Sequence, residues 1–208
     1  MPGQQKLSMR QEQAAETRRS LLDAALKLFA ERGYSATPVR DINQAAGVAD
    51  GLLYHYFPKG KKELLQVLVT EKVVELRALL RSGAEGLDAL PLDEALEQVF
   101  LNWFEVFREH ADVIRILLKE NKNMQIVAQD SLEEILCGGD QWFIEFLRKR
   151  AQTGEIREID YTSAAEITGS VVYSFFFSML TGIGSKILSD GAHRKRLIDY
   201  QVELWKNP

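Results

Sequence analysis

Residues 37–58, TPVRDINQAAGVADGLLYHYFP, contain the signals that decide the fold. Apolar residues recur there at helical spacing on both sides of Gly47: Val39, Ile42 and Ala46 before it, and Leu53 and Phe57 after it. A glycine readily adopts the positive φ angle that a tight turn between two helices requires. Two short helices joined by such a turn, with another helix to pack on, form a helix-turn-helix. We therefore predict a helix-turn-helix centred on Gly47.

The sequence before this stretch supplies the other helix. Residues 14–32 repeat apolar side chains on one face, and Gly33 stands where a glycine commonly ends a helix: the face consists of Leu22, Ala25, Leu26 and Phe29. We expect the Thr37 side chain to cap the second helix, with Pro38 at its first position. Asp50 can cap the third helix in the same way.

The remaining sequence also repeats its apolar residues at helical spacing. We predict helices over residues 61–82, 92–109, 113–118, 125–151, 162–180 and 192–206. There is no internal repeat and no alternating strand pattern, and 14 Gly and 5 Pro in 208 residues are too few for a turn-rich β protein. The predicted fold is all-α with about nine helices. It combines an N-terminal helix-turn-helix domain over residues 1–60 with a larger helical domain over residues 61–208.

Charge separates the two ends of the chain. Residues 1–62 contain ten Lys or Arg and six Asp or Glu, whereas residues 63–208 contain sixteen and twenty-four. The first part can therefore approach a polyanion, which the rest of the chain would repel. A formal net charge of -4 argues against nucleic acid along the whole surface and favours a local contact with double-stranded DNA.

No catalytic or metal-binding constellation emerges from the sequence. His55, His110 and His193 are far apart, and no hydrolase or zinc motif surrounds them. Cys137 is the only cysteine, which excludes an intramolecular disulfide and a CxxC site. The first residues lack the apolar segment of a secretory signal. We expect a cytoplasmic protein that is not an enzyme and that needs neither a cofactor nor a metal.

Residues 167–185 form an uncharged run of nineteen residues, ITGSVVYSFFFSMLTGIGS. Nine of these are Ser, Thr or Gly, so the run is too polar for us to expect a membrane span. A helix that is apolar on most sides otherwise packs one face on its own core and another on a partner subunit. The last helix is similarly apolar. Together they predict a homodimer with these interface residues: Val171, Phe175, Leu197, Gln201 and Leu204.

The central stretch, with AALKLFAERGY before it (residues 24–34) and KGKKELL after it (residues 59–65), resembles the N-terminal DNA-binding domain of the TetR family of bacterial transcriptional regulators. The resemblance covers about residues 14–68. It implies that the third helix reads an operator and that these residues contact DNA: Thr37, Arg40, Asp50, Gly51, Tyr54, His55 and Lys61. Tyr hydroxyl and Lys ammonium groups suit phosphate, and Arg suits guanine.

Three residues depart from the family pattern. Ala49 stands where a capping Ser is usual, Asp50 where a Lys, Arg or polar residue is common, and Leu52 where a phosphate-binding Thr or Ser is usual. These departures imply weaker attraction of the phosphate backbone by the recognition helix itself. Asp50 either caps its own helix or accepts a hydrogen bond from a cytosine amino group.

The resemblance also implies a small-molecule pocket in the helical domain, and helical bundles place such cavities between helices. Because residues 167–185 carry no charge, we expect an apolar or aromatic effector, with these wall residues: Trp103, Phe107, Phe143 and Phe176. The predicted mechanism is a dimeric repressor that binds a pseudo-palindromic operator and is released when the effector shifts the helix that begins at Lys61. The alternative is a helical small-molecule sensor whose DNA-binding module is degenerate.

Overall fold

The computed structural model describes residues 9–120, 140–181 and 190–206, and all regular structure in these ranges is helical. Nine α-helices fall within them: α1 Met9–Arg32, α2 Val39–Ala45, α3 Leu52–Tyr56, α4 Lys61–Ser82, α5 Leu92–Glu109, α6 Ala111–Glu120, α7 Asp140–Gln152, α8 Tyr161–Thr181 and α9 Gly191–Trp205. A 3-10 helix spans Leu87–Ala89. The prediction of an all-α fold is confirmed. The part of the predicted helix over residues 125–151 that precedes residue 140 lies outside the described residues.

The chain divides into two compact units. The first contains Met1–Lys72 and Asp112–Gln129, and the second contains Val73–Ala111 and Asp130–Pro208. Helix α4 therefore begins in the first unit and ends in the second. The domain boundary expected after residue 60 stays a prediction, because spatial grouping does not test independent folding.

The core of the first unit forms where α1 packs against α2. Leu21, Ala25 and Phe29 on α1 have no exposed surface, and neither has Ile42 on α2. Gly33 follows the end of α1 as predicted, with φ 88° and its N–H donating to the Phe29 carbonyl at 2.9 Å. This short ending lets the chain reverse and lay α2 on the apolar face of α1.

The predicted side-chain caps of α2 and α3 are wrong. Pro38 is the N-cap of α2, and no side chain caps that helix. Thr37 is fully buried, and its hydroxyl donates instead to the Gly33 carbonyl at 2.8 Å. Carbonyl groups at the buried end of α1 need a donor, and Thr37 supplies it. Gly51 is the N-cap of α3, so Asp50 lies one residue too early to cap it.

The core of the second unit forms between α5, α7, α8 and α9. Helix α5 contributes these buried side chains: Leu92, Ala95, Leu96, Val99, Phe100, Trp103, Val106 and Phe107. The other helices contribute these: Phe143, Phe146, Leu147, Ala164, Ala165, Val172, Ile198, Val202 and Trp205. Each helix turns one apolar face toward the common core, as the spacing of apolar residues predicts.

A buried arginine joins separate segments of the second unit. Arg150 on α7 is 7% exposed, and its Nη2 donates to the Leu87 carbonyl at 2.7 Å. Its Nη1 donates to Glu155 Oε2 at 2.6 Å. The other carboxylate oxygen of Glu155 accepts from the Leu92 N–H at 2.9 Å. This contact satisfies one of the free N–H groups at the start of α5.

Helix α8 carries the described part of the uncharged run. Its start is fixed by Ser163, which donates to the Asp160 carboxylate from its backbone N–H at 3.1 Å and from its hydroxyl at 2.7 Å. These hydrogen bonds favour the ionised carboxylate and lower the pKa of Asp160 from its ordinary value. No helix in the described ranges, α8 included, is long and apolar enough to cross a membrane.

Candidate nucleic-acid interface

The exposed face of α3 is the first feature of the candidate site. Leu53 and Phe57 are 0% and 1% exposed and hold this segment against the first unit. Tyr54 is 54% exposed, and His55 is exposed beside it. The Tyr56 ring is half-buried and meets the His55 ring edge-on, with 5.1 Å between centroids. Helix α3 therefore turns an apolar side inward and presents Tyr54 and His55 to solvent, in the predicted phase.

Two glycines with positive φ set the direction of α3. Gly47 has φ 68°, and its N–H donates to the Gln44 carbonyl at 3.1 Å. Gly51 has φ 88°. A Cβ atom at either glycine would meet open space. Glycine is therefore required at these positions by the backbone conformation and not by a lack of room for a side chain. Residues other than glycine rarely adopt this conformation. A glycine at these positions is therefore a turn signal that can be recognised in the sequence.

A third glycine supports the Tyr54 ring. Gly60 has φ 69°, and a Cβ atom built on it would lie 3.0 Å from Tyr54 Cε1. The ring therefore packs directly on the glycine backbone while about half of the side chain stays exposed. Fixing the ring restricts the positions of the Tyr54 hydroxyl, a group that suits phosphate oxygens.

Arg40 and Asp50 are the exposed charges of the predicted set. Arg40 lies on α2, and Asp50 lies in the turn before α3. Among the described residues neither forms an ion pair, whereas the adjacent Asp41 pairs with Arg32 at 2.9 Å. Because Asp50 does not cap α3, the structure removes the first of the two interpretations of this residue. Both side chains are available to base edges.

Lys61 and Thr37 face the protein. Lys61 Nζ donates to the carbonyls of Tyr34 at 2.7 Å and Thr37 at 2.8 Å, and it lies 4.3 Å from the centre of the Tyr34 ring. Both side chains satisfy carbonyl groups around the connection between α1 and α2. The expected DNA contact of the fully buried Thr37 side chain is therefore wrong, whereas that of the half-buried Lys61 stays a prediction. The exposed cations beside them are Lys59 and Lys62.

A small cavity in the second unit lies between α5, α7 and α8. Its lining residues are Val99, Trp103, Phe143, Ala165, Thr168, Gly169 and Val172. The volume open to the centre of a water molecule is about 10 Å³, so the space admits at most one water molecule. None of the seven described residues that line it is charged. Within the described ranges no three His, Cys, Asp or Glu side chains come close enough to hold a metal ion.

Two of the four predicted wall residues line this cavity, Trp103 and Phe143. Phe107 is buried behind Trp103, with ring centroids 5.9 Å apart, and the Phe176 side chain lies outside the described residues. The sequence analysis missed the small residues of α8 that leave the space. Because the wall was predicted from aromatic side chains alone, small residues such as Gly169 were not considered.

The predicted dimer residues lie in different environments. Leu204 is 48% exposed, whereas Val171 and Leu197 are half-buried and the Phe175 side chain lies outside the described residues. The prediction for Gln201 is wrong, because this side chain is 8% exposed and bonds within its own unit. Three exposed apolar residues were missed: Ile167 at 61%, Phe177 at 58% and Tyr200 at 62%. Helical spacing from Val171 and Leu204 could have pointed to Ile167 and Tyr200.

Comparison with known proteins agrees with this geometry. The family described as "Bacterial regulatory proteins, tetR family" matches residues 21–68. The chain is 26% identical over 204 residues to the HTH-type transcriptional repressor NicS of Pseudomonas putida, covering 94% of this chain and 92% of that protein. It is 26% identical over 146 residues to the HTH-type transcriptional regulator UidR of Escherichia coli, covering 70% and 72%.

A solved structure extends the likeness to the whole fold. The crystal structure of the TetR family transcriptional regulator PfmR from Thermus thermophilus has a TM-score of 0.62 and 25% sequence identity, covering 88% of this chain and 95% of that chain. The match includes the helices of the second unit, beyond the residues matched by the family description. The chain belongs to the TetR family and is a transcriptional regulator.

Proposed function

We propose that this regulator is a repressor that binds a pseudo-palindromic operator as a homodimer and releases it when a small apolar or aromatic effector binds. It acts in the cytoplasm, with residues 1–60 as DNA-binding domain and residues 61–208 as effector-binding and dimerisation domain. The observation that carries the proposal is the face of α3, where Tyr54 and His55 are exposed while Leu53 is buried. The similarity to NicS, a transcriptional repressor, supports repression as the direction of control.

The exposed groups suit the chemistry of DNA. An α-helix fits the major groove, where Arg40 can donate two hydrogen bonds to one guanine and Asp50 can accept one from a cytosine amino group. The Tyr54 hydroxyl, with its ring held on Gly60, would donate to a phosphate. Lys59 and Lys62 supply positive charge that does not depend on sequence.

A second copy of this chain is the proposed occupant of the exposed apolar surface on α8 and α9. Ile167 and Phe177 on α8 and Tyr200 and Leu204 on α9 are each about half exposed or more. Apolar side chains at helical spacing on two long helices favour a helix bundle with a partner's helices. Two recognition helices in one dimer would be spaced about one turn of DNA, ~34–36 Å, to read both half-sites.

Helix α4 offers a route from effector to operator. It runs without interruption from Lys61, which holds the connection between α1 and α2, to Ser82. A displacement of the end of α4 would therefore move its beginning and the DNA-binding helices that it holds. Coupling of this kind is typically worth about 1–3 kcal/mol.

The experiment is a binding titration against the DNA upstream of the protein's own gene, at several salt concentrations. Arg40→Ala should weaken binding by about 1–3 kcal/mol and relax the preference at one base position. Tyr54→Ala should weaken binding to all sequences without changing the salt dependence, because a neutral hydroxyl releases no counterions. Arg108→Ala is the matched control, because Arg108 is exposed on α5 in the second unit.

The outcomes separate the proposal from its alternative. If neither Arg40→Ala nor Tyr54→Ala changes affinity or salt dependence, the helix-turn-helix does not read DNA and the chain is a sensor with a degenerate module. Light scattering tests the dimer independently. The Ile167→Glu variant should give a monomer, and a wild-type monomer would contradict the dimer.

A further inference from the structure

A glycine inside α8 lies at the cavity between α5, α7 and α8. Gly169 stands near the middle of this 21-residue helix, where glycine is unfavourable relative to alanine because it loses more conformational freedom on folding. It is buried, and it is not among the described glycines with positive φ. The backbone conformation therefore does not require a glycine at this position.

The other small residues of the wall share the face of Gly169. Ala165, Thr168, Gly169 and Val172 follow the spacing i, i+3, i+4 and i+7, and all four line the cavity. A Cβ atom at residue 169 would therefore point toward the same space. We call these four residues the small face of α8. What Gly169 contributes to this face is the room that a methyl group would fill.

The hydroxyl of this face is already paired. Thr168 Oγ1 donates its single hydrogen to the Ala164 carbonyl at 2.8 Å and accepts from Gln201 Nε2 at 3.0 Å. The other six lining side chains contain no hydrogen-bond acceptor. A hydroxyl or N–H group of a ligand would therefore be buried in this cavity without a partner.

Trp103 is the wall side chain that a ligand can displace. The space admits at most one water molecule, so a ligand needs one side chain to move. Phe143 is held by three other rings, whose centroids lie 5.8–6.4 Å away: Trp142, Phe146 and Trp205. Trp103 contacts one ring among the described residues, that of Phe107 at 5.9 Å. Fewer ring contacts oppose its movement.

We propose that the effector inserts a hydrocarbon group without a hydrogen-bond donor, such as a phenyl ring, between Trp103 and the small face of α8. Gly169 determines specificity, because the absence of a methyl group at this residue leaves the room that the ring uses. A group that carries a donor is rejected, since it would be buried unpaired. The inference rests on the proposed function, because it takes this cavity as the effector site.

The test begins with the binding of toluene and phenol to the full chain, measured by calorimetric titration. The two probes have nearly the same shape, but phenol carries a hydroxyl in place of the methyl group. Wild-type protein should bind toluene at least about tenfold more tightly, because the buried hydroxyl finds no acceptor. Equal affinities, or no binding of toluene, would overturn the inference.

Gly169→Ala tests the site itself. The added methyl group should weaken toluene binding about tenfold or more, because it fills the space that the ring needs. The thermal midpoint should rise by about 2–4 °C, because alanine favours the interior of a helix. Ser170→Ala is the matched control on the exposed side of α8, and it should leave toluene affinity unchanged.

The same variant distinguishes a ligand site from simple helix packing. If Gly169 serves only the close approach of a neighbouring helix, the methyl group will lower the thermal midpoint, and the inference fails. Unchanged toluene affinity in Gly169→Ala would contradict it as well.

Trp103→Leu tests the displaced side chain. The smaller residue leaves a dry, ring-sized space, so toluene should bind about tenfold more tightly than to wild type. An affinity equal to that of wild type would overturn the assignment of Trp103 as the side chain that moves.

Operator titration of the same preparations separates this inference from the proposed function. Operator binding by a protein that does not bind toluene would overturn the inference alone. Toluene binding that depends on Gly169, without operator binding, would overturn the proposed function and leave the chemistry of the cavity standing.

Discussion

In each unit of the molecule a cation donates to a backbone carbonyl at a connection between helices. In the first unit Lys61 donates to two carbonyls and lies 4.3 Å from the centre of the Tyr34 ring. In the second unit Arg150 donates to the Leu87 carbonyl and lies 4.8 Å from the centre of the Phe146 ring. Arg150 also pairs with a carboxylate. The same structural task is performed by a compact ammonium group in one unit and by a planar guanidinium in the other.

The two cations stand in very different sequence contexts. Lys61 stands in a recognisable motif, and the motif suggests a phosphate contact. Arg150 stands in a helical run, RKRAQ, that matches no functional motif. In the structure both side chains turn toward backbone carbonyls at the connections between helices. A motif therefore identifies a position, whereas the direction of a long side chain depends on which unpaired groups lie within its reach.

Arg150→Met should have the largest effect on stability. It leaves the Glu155 carboxylate, 29% exposed, without its ion-pair partner and removes one of the two donors to the Leu87 carbonyl, at a cost of about 3 kcal/mol. Lys149→Met is the matched control, because Lys149 and Asp88 form an ion pair with side chains 62% and 59% exposed, which contributes at most about 1 kcal/mol. Urea unfolding at fixed protein concentration measures both, and equal losses would show that Arg150 contributes no more than a surface pair.

Lys61→Met should have an intermediate effect, and it tests whether Lys61 positions helices or contacts DNA. Loss of two charge-assisted hydrogen bonds should lower the free energy of unfolding by about 1–3 kcal/mol, without changing the salt dependence of operator binding. Lys62→Met, at the exposed neighbour, should do the reverse and reduce the slope by about 0.9 if it contacts one phosphate. A reduced slope with unchanged stability in Lys61→Met would restore the phosphate contact.

Gly60→Ala should have the smallest effect on stability and a selective effect on DNA binding. Gly47 and Gly60 have φ angles of 68° and 69°, so alanine at either position introduces similar backbone strain, on the order of 1 kcal/mol. Only at Gly60 does the new Cβ press on the Tyr54 ring. Gly60→Ala should therefore weaken operator binding about fivefold more than Gly47→Ala does. Equal affinities of the two variants would show that the ring position is unimportant.

Helix positions were predictable because they depend on local rules. The predicted bounds of α4 and α5 coincide with the observed Lys61–Ser82 and Leu92–Glu109, since apolar periodicity and flanking Pro or Gly fix them. Side-chain caps were less predictable. Thr37 is a good capping residue, but the nearby carbonyl of Gly33 takes its hydroxyl instead. Whether the hydroxyl accepts from an N–H of α2 or donates to a carbonyl at the end of α1 depends on how α1 and α2 pack, which cannot be read from the sequence.

The candidate sites divide in the same way. By itself the sequence determined the family, the all-helical fold and the outward phase of Tyr54 and His55, because a glycine turn and a helical period act over a few residues. Only the tertiary structure decided that Lys61 and Gln201 face inward and that Gly169 lies at a cavity. Long helices have several faces, and whether a face meets core, cavity or solvent is decided by contacts between residues far apart in the chain.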